Sequence, residues 1–131
     1  MTNEKQAAVN AVEAKKAVID DVADSIWEYA ELSLQEEKSC AKYCEVLEKE
    51  GFAVEKGICS IATAFSASFG SGRPVIGILA EYDALSGLSQ KAGSLCREEL
   101  VPGGCGHGCG HNLLGAGALA AALGVKAYLE H

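Results

Sequence analysis

The run PVIGILAEYD, residues 74–83, constrains the fold more than any other stretch of the chain. Pro74 to Ala80 are apolar without alternation, and carboxylates arrive only at Glu81 and Asp83. A strand with one wet face alternates polar and apolar residues, so a strand apolar on both faces needs cover on both, as in a sheet flanked by helices. Two further strands are read before it, FAVEKGI (52–58) and TAFSASFG (63–70), with GSGR (70–73) as a tight hairpin turn into the third. Val12, Ile19, Val22 and Ile26 recur at helical spacing over residues 5–30, with charges between them. A second helix is predicted from Ser39 to Glu50, with Cys40, Cys44 and Leu47 on one face and Gly51 placed to stop it. A third covers 113–129. The order α-α-β-β-β-loop-α makes one α/β unit, helices packed on a small mixed sheet, with 74–82 inside it.

Between the third strand and the last helix, residues 84–111 show no periodicity, and a long glycine-rich connection of this kind is a natural place for function. It ends in GGCGHGCGH (103–111), with Cys105, His107, Cys109 and His111 two residues apart. Thiolate and imidazole are ligands of zinc-like ions; calcium and magnesium take carboxylates and carbonyls. In an extended segment Cys109 and His111 project to one side and can share one ion, with Gly108 and Gly110 easing the backbone. Closure of all four on one ion is disfavoured, because structural zinc sites usually draw spaced pairs from two segments. Chemistry alone leaves a metal site and a plain glycine loop equally supported. Cys105 and His107 read as loop residues near the site. Asp83, at the carboxyl end of a strand, is balanced between a turn role and a ligand crevice; Glu81 reads as solvated.

Composition narrows the partners. Eighteen acidic against eleven basic residues give a net charge of −7, which repels nucleic acid and anionic membranes and leaves small molecules or proteins. The charged N-terminal stretch shows no secretory signal, and LLGAGALAAALGV (113–125) is shorter than the roughly 20 residues of a spanning helix. A cytoplasmic location is expected, with Cys40, Cys44, Cys59 and Cys96 as small buried residues in a reducing compartment. GAGALA (115–120) formally fits a dinucleotide fingerprint but lacks its strand and acidic partner; no phosphate loop or serine-hydrolase elbow occurs.

Three motifs in this order, ELSLQEEKS (31–39), GILAEYDALSGLSQKAG (77–93) and GHGCGHNLLGAGALAAA (106–122), resemble the aminoacylase/carboxypeptidase-type metallo-amidohydrolases from about Ile26 to Glu130. The resemblance implies a zinc-peptidase-like α/β catalytic domain with a dinuclear centre and a smaller inserted dimerisation domain. Residues 1–131 then correspond to one unit, the N-terminal portion of the catalytic domain without the insert. It implies that Cys109 and His111 are the first two metal ligands and that Asp83 orients a ligand. Glu81 stands where some relatives carry a ligating His. The implied cofactor is a divalent metal, zinc or manganese, two per complete site; the implied substrate is an N-acyl amino acid or aminobenzoyl-glutamate-like amide, and the implied state a homo-oligomer. The family's Glu-Glu pair, base and ligand, has no counterpart after residue 111, where the only histidine is His131, readable as native or as the start of a tag. A truncated, inactive domain holding metal weakly or not at all is therefore expected. The competing readings are a non-catalytic binding or assembly module, and a structural zinc module using Cys105, His107, Cys109 and His111.

Overall fold

The computed structural model describes residues 2–130; His131 lies outside the described residues. Four helices, α1 (Asn3–Ala14), α2 (Lys16–Tyr29), α3 (Glu37–Lys49) and α4 (His111–Leu129), accompany a two-stranded antiparallel sheet of β1 (Ala53–Lys56) and β2 (Phe65–Ser68), which packs against α3. The Thr2 side chain accepts the Lys5 N–H and starts α1. The single helix expected over 5–30 is divided at Lys15, although no glycine or proline marks the place. Packing explains the break: α1 lies along α4, with Val12 beside Gly124, whereas α2 turns its buried Val22, Ala23 and Ile26 toward both α3 and α4. One straight rod could not cover both.

α2 ends where Ala30 adopts a left-handed conformation and returns its N–H to the Ile26 carbonyl. The N-terminus of α3 is closed from outside the helix. Glu31 takes the N–H groups of Lys38 and Ser39 at 3.0 and 2.9 Å and the Ser39 hydroxyl at 2.8 Å. A carboxylate there satisfies orphan donors and meets the positive end of the helix dipole. Tyr43, Val46 and Leu47 of α3 join Val22, Ile26, Leu119 and Leu123 in the core, and Phe52, Val54, Phe65 and Ala67 close one side of it. Fully burying a side chain such as Ile26 contributes about 1.5–3 kcal/mol.

The sheet corrects the three-strand reading. Among the described residues the one sheet pairs Ala53–Lys56 with Phe65–Ser68, in the register Val54↔Ala67, beside isolated bridges at Leu32↔Ala84 and Leu85↔Gly106, and the two strands are connected through a 3₁₀ turn at Ile58–Ser60. Residues 74–80 form no strand, and GSGR (70–73) is accordingly not a hairpin. Val75 is 82% exposed and Leu79 89% exposed, the reverse of burial on both faces. A strand apolar on both sides requires hydrogen-bonding neighbours and facing layers; among the described residues none pairs with this segment. Along β2, α4 and residues 70–83 it leaves an open, largely apolar cleft of about 1590 Å³.

α4 extends two residues earlier than expected and begins at His111 itself. It is long and apolar enough to cross a membrane by length and composition, yet it packs against α1 and α2, burying Leu119 and Leu123. All six cysteines are free. Cys40 and Cys44 are buried as expected, but Cys59 and Cys96 are exposed, because both sit in connections that carry no apolar pattern to bury them. Burial pushes the Cys44 thiol up to about 12. A thiol-specific reagent at neutral pH is therefore expected to modify Cys59, Cys96 and Cys109 within minutes and Cys40 and Cys44 only after denaturation, as peptide mapping would show.

Candidate metal centre

The segment after the cleft keeps the alternation of a strand. Tyr82 turns inward, its ring 5.4 Å from that of Tyr43 and its hydroxyl donating to the Thr63 carbonyl. Glu81 and Asp83 turn the other way, toward α4. The segment is tied by the Ala84 N–H to the Glu31 carbonyl at 2.7 Å. Thr63 in turn donates to the buried Glu36 at 2.7 Å, so Tyr82 is anchored in a polar relay behind the carboxylates.

His111 is delivered by the connection before α4. Leu85 and Gly106 exchange backbone hydrogen bonds at 3.0 Å, and Ser89 N–H reaches the Gly104 carbonyl at 3.0 Å, drawing residues 84–106 into an arch. Gly106 permits this approach: a Cβ there would lie 2.0 Å from the Leu88 carbonyl oxygen. His107 then anchors the arch to α2, its Nε2–H donating to the Ile26 carbonyl at 2.9 Å. Its Nδ1 is buried without a partner, and burial holds the ring's pKa below the usual histidine value, which favours the neutral form. Gly110, with φ of 73°, turns the chain into α4.

The His111 ring is clamped between two carboxylates. Asp83 Oδ1 lies 2.7 Å from Nδ1, and Glu81 Oε2 lies 3.1 Å from Nε2. A carboxylate only accepts, so the Nδ1–H donates to Asp83, and Nε2 faces the Glu81 carboxylate, to which it donates when the ring carries both protons. This is the carboxylate–histidine arrangement that orients an imidazole for a metal at its far nitrogen. One donor atom from each of Glu81, Asp83 and His111 lies within 4.8 Å of the others, and among the described residues this is the group of three or more that could hold an ion. Nitrogen and oxygen donors of this kind fit a divalent transition ion.

Of the residues singled out from sequence, the structure thus brings His111, Asp83 and Glu81 together. Cys109 is exposed, one residue before the glycine that caps α4, and lies outside that group. Cys105 is half-buried, and His107 is engaged with Ile26; neither joins it. The structural zinc reading from Cys105, His107, Cys109 and His111 has no convergent geometry here. Sequence reasoning missed Tyr43, whose buried hydroxyl packs against Gly115, and no local pattern signals that contact.

No family model matches the chain. It is 49% identical over 121 residues, 92% of its length, to a subunit of the p-aminobenzoyl-glutamate hydrolase of Escherichia coli (strain K12), and covers 25% of that protein. It is 31% identical over 119 residues, 81% of its length, to Xaa-Arg dipeptidase of Homo sapiens, covering 23% of that protein. To Xaa-Arg dipeptidase of Mus musculus it is 27% identical over 136 aligned residues, 96% of its length and 28% of that relative. The chain spans about a quarter of the length of the curated relatives it matches. The three motifs and the relatives agree: the chain is related by sequence to the amidohydrolases and dipeptidases typified by this p-aminobenzoyl-glutamate hydrolase subunit.

Proposed function

We propose that these residues form part of a metal-dependent amidohydrolase that cleaves the amide bond of an N-acyl amino acid or aminobenzoyl-glutamate-like substrate. The observation that carries this reading is the His111 imidazole fixed by Asp83 at the first residue of α4, beside an apolar cleft. The names of the relatives, a hydrolase of aminobenzoyl-glutamate and a dipeptidase, support the amide chemistry. Cys109 and His111 would hold the ion, zinc or manganese, and a complete centre would hold two. When bound, such an ion polarises the scissile carbonyl and lowers the pKa of a water. Asp83, accepting from Nδ1–H at 2.7 Å, would orient the ring with Nε2 toward the ion. Cys109 stands exposed on the glycine-flanked turn two residues before His111.

Domain assignment rests on the same reading: residues 1–131 as the N-terminal portion of the catalytic domain. Substrate closure and dimerisation are assigned to an inserted domain that these residues do not form. The relative's designation as a subunit supports an assembly with further chains, which we take as a homo-oligomer at least. Six free thiols support the cytoplasm as the working compartment.

A base to take the water's proton is the group this chain's centre does not supply: both carboxylates near His111 are engaged with the ring. The 131 residues alone are accordingly expected to hydrolyse p-aminobenzoyl-glutamate no faster than buffer containing the same metal, measured by release of the aromatic amine. Turnover abolished by Cys109→Ala would show that the chain is catalytically complete and overturn the assignment of the base elsewhere.

A further inference from the structure

We infer that the unpaired segment from Val75 to Leu79 is a docking strand for a second copy of this chain, the two segments pairing antiparallel about a two-fold axis at Gly77. The inference rests on the homo-oligomeric reading above, to which it gives a surface, and makes no use of a metal.

The first argument concerns the backbone. Among the described residues, 74–83 make no backbone–backbone hydrogen bond, and none of them has a positive φ that would bar it from a ladder. The next residue shows which edge is open. Ala84 gives its N–H to the Glu31 carbonyl and bridges Leu32, so that edge faces the chain's own body. Along an extended segment successive N–H groups point to opposite edges, and those of Val75, Gly77 and Leu79 therefore point away from it. Pro74, which has no N–H to give, falls on the body's edge and leaves the outer edge complete. An exposed apolar edge of this kind is a template for another strand.

The second argument identifies the occupant. A two-fold axis at Gly77 sets Val75 opposite Leu79 of the second copy, Ile76 opposite its Ile78 and Arg73 opposite its Glu81. Apolar side chains meet apolar ones across the strands, and opposite charges meet at both ends. Val75 and Leu79, which this register pairs, are the most exposed of the segment's four large side chains. Arg73 is exposed and enters no ion pair among the described residues, and the Glu81 side chain is more than half exposed. At the axis a Cβ on Gly77 would meet nothing within 4 Å, which leaves room for a second backbone. Such self-pairing is isologous and closes at two copies, covering the same patch on each.

The test is sedimentation equilibrium of the whole chain in chelating buffer, between about 1 and about 100 µM, where mass action separates monomer from a reversible dimer. Wild type is expected to dimerise within that range. Gly77→Pro removes the axial donor at a position with no neighbours, and is expected to weaken dimerisation at least tenfold with an unchanged helical circular dichroism signal. Two double variants read the register. Val75→Lys with Leu79→Glu places opposite charges across the axis and is expected to dimerise at least about tenfold more tightly than Val75→Glu with Leu79→Glu, which places like charges there. If Gly77→Pro dimerises within twofold of wild type, or the two double variants dimerise alike, the inference is overturned and the homo-oligomeric reading stands. If wild type is monomeric at about 100 µM, as it would be were this edge covered by a different polypeptide, the inference and that reading fail together. Assembly beyond two copies overturns the closed pair.

Discussion

Gly115→Ala is expected to destabilise the chain by about 3 kcal/mol and to lower its melting temperature by roughly 10 °C. A Cβ at this position would lie 2.2 Å from the Tyr43 hydroxyl oxygen, 2.9 Å from the ring carbon bearing it and 3.1 Å from the Glu81 carbonyl. Tyr43 cannot retreat: it is 3% exposed, with the rings of Tyr82 and Phe65 centred 5.4 and 6.2 Å away. The strain would therefore pass to the backbone at Glu81 and from there to the clamp on His111. The Tyr43 hydroxyl is buried without a hydrogen-bond partner, and burial raises its pKa well above the usual phenol value. Tyr43→Phe alone should thus be neutral or mildly stabilising, since it removes an unsatisfied polar group. Combined with Gly115→Ala it should recover part of the loss, because the nearest clash disappears and the next remains. Thermal melts of the four proteins measure the coupling directly; an alanine variant melting within 2 °C of wild type would contradict the close packing.

Ile26→Ala is expected to cost about 2–5 kcal/mol, and Ile26→Val about 0.5–1.5 kcal/mol. Ile26 is fully buried at the meeting of α2, α3 and α4, where Val22 one turn before it and the facing Leu119 and Leu123 leave a truncated side chain no solvent to replace it. Against the roughly 5–15 kcal/mol that stabilises an ordinary domain, the larger figure is a substantial share. Denaturant titration gives the magnitude. Modification of Cys40 and Cys44 under native conditions should accelerate in the alanine variant, because opening of the core exposes them.

The helices were legible because each carries its own periodicity. Cys40, Cys44 and Leu47 are one face of α3, and that face is what the structure buries. The break at Lys15 was not legible, since it answers to the position of α4, roughly a hundred residues away in the chain. The third strand shows the same limit differently. PVIGILA states a need for neighbours on both sides, but no sequence pattern says which segment meets that need, and among the described residues nothing does. At the candidate centre, the spacing of Glu81 and Asp83 was enough to place both on one side of an extended segment. Their convergence on His111, 28 and 30 residues later, depends on the arch that Gly106 and His107 tie down, a non-local arrangement. For that reason Glu81 read as solvated from sequence, although in the structure its carboxylate meets the ring.

Both halves of the centre hang from the end of α2. The Ile26 carbonyl receives His107, four residues before His111, and the Glu31 carbonyl receives Ala84, directly after Asp83. The six residues from Ile26 to Glu31 therefore act as a spacer gauge. One inserted residue within α2's last turn would rotate the downstream chain by about 100° and advance it by about 1.5 Å, carrying the carboxylates away from an imidazole that stayed behind. The outer part of the arch, where Lys91 and Glu98 pair on the surface, bears no such constraint. Length variation among homologous chains should accordingly be confined to the stretch between those two residues and be absent from the gauge.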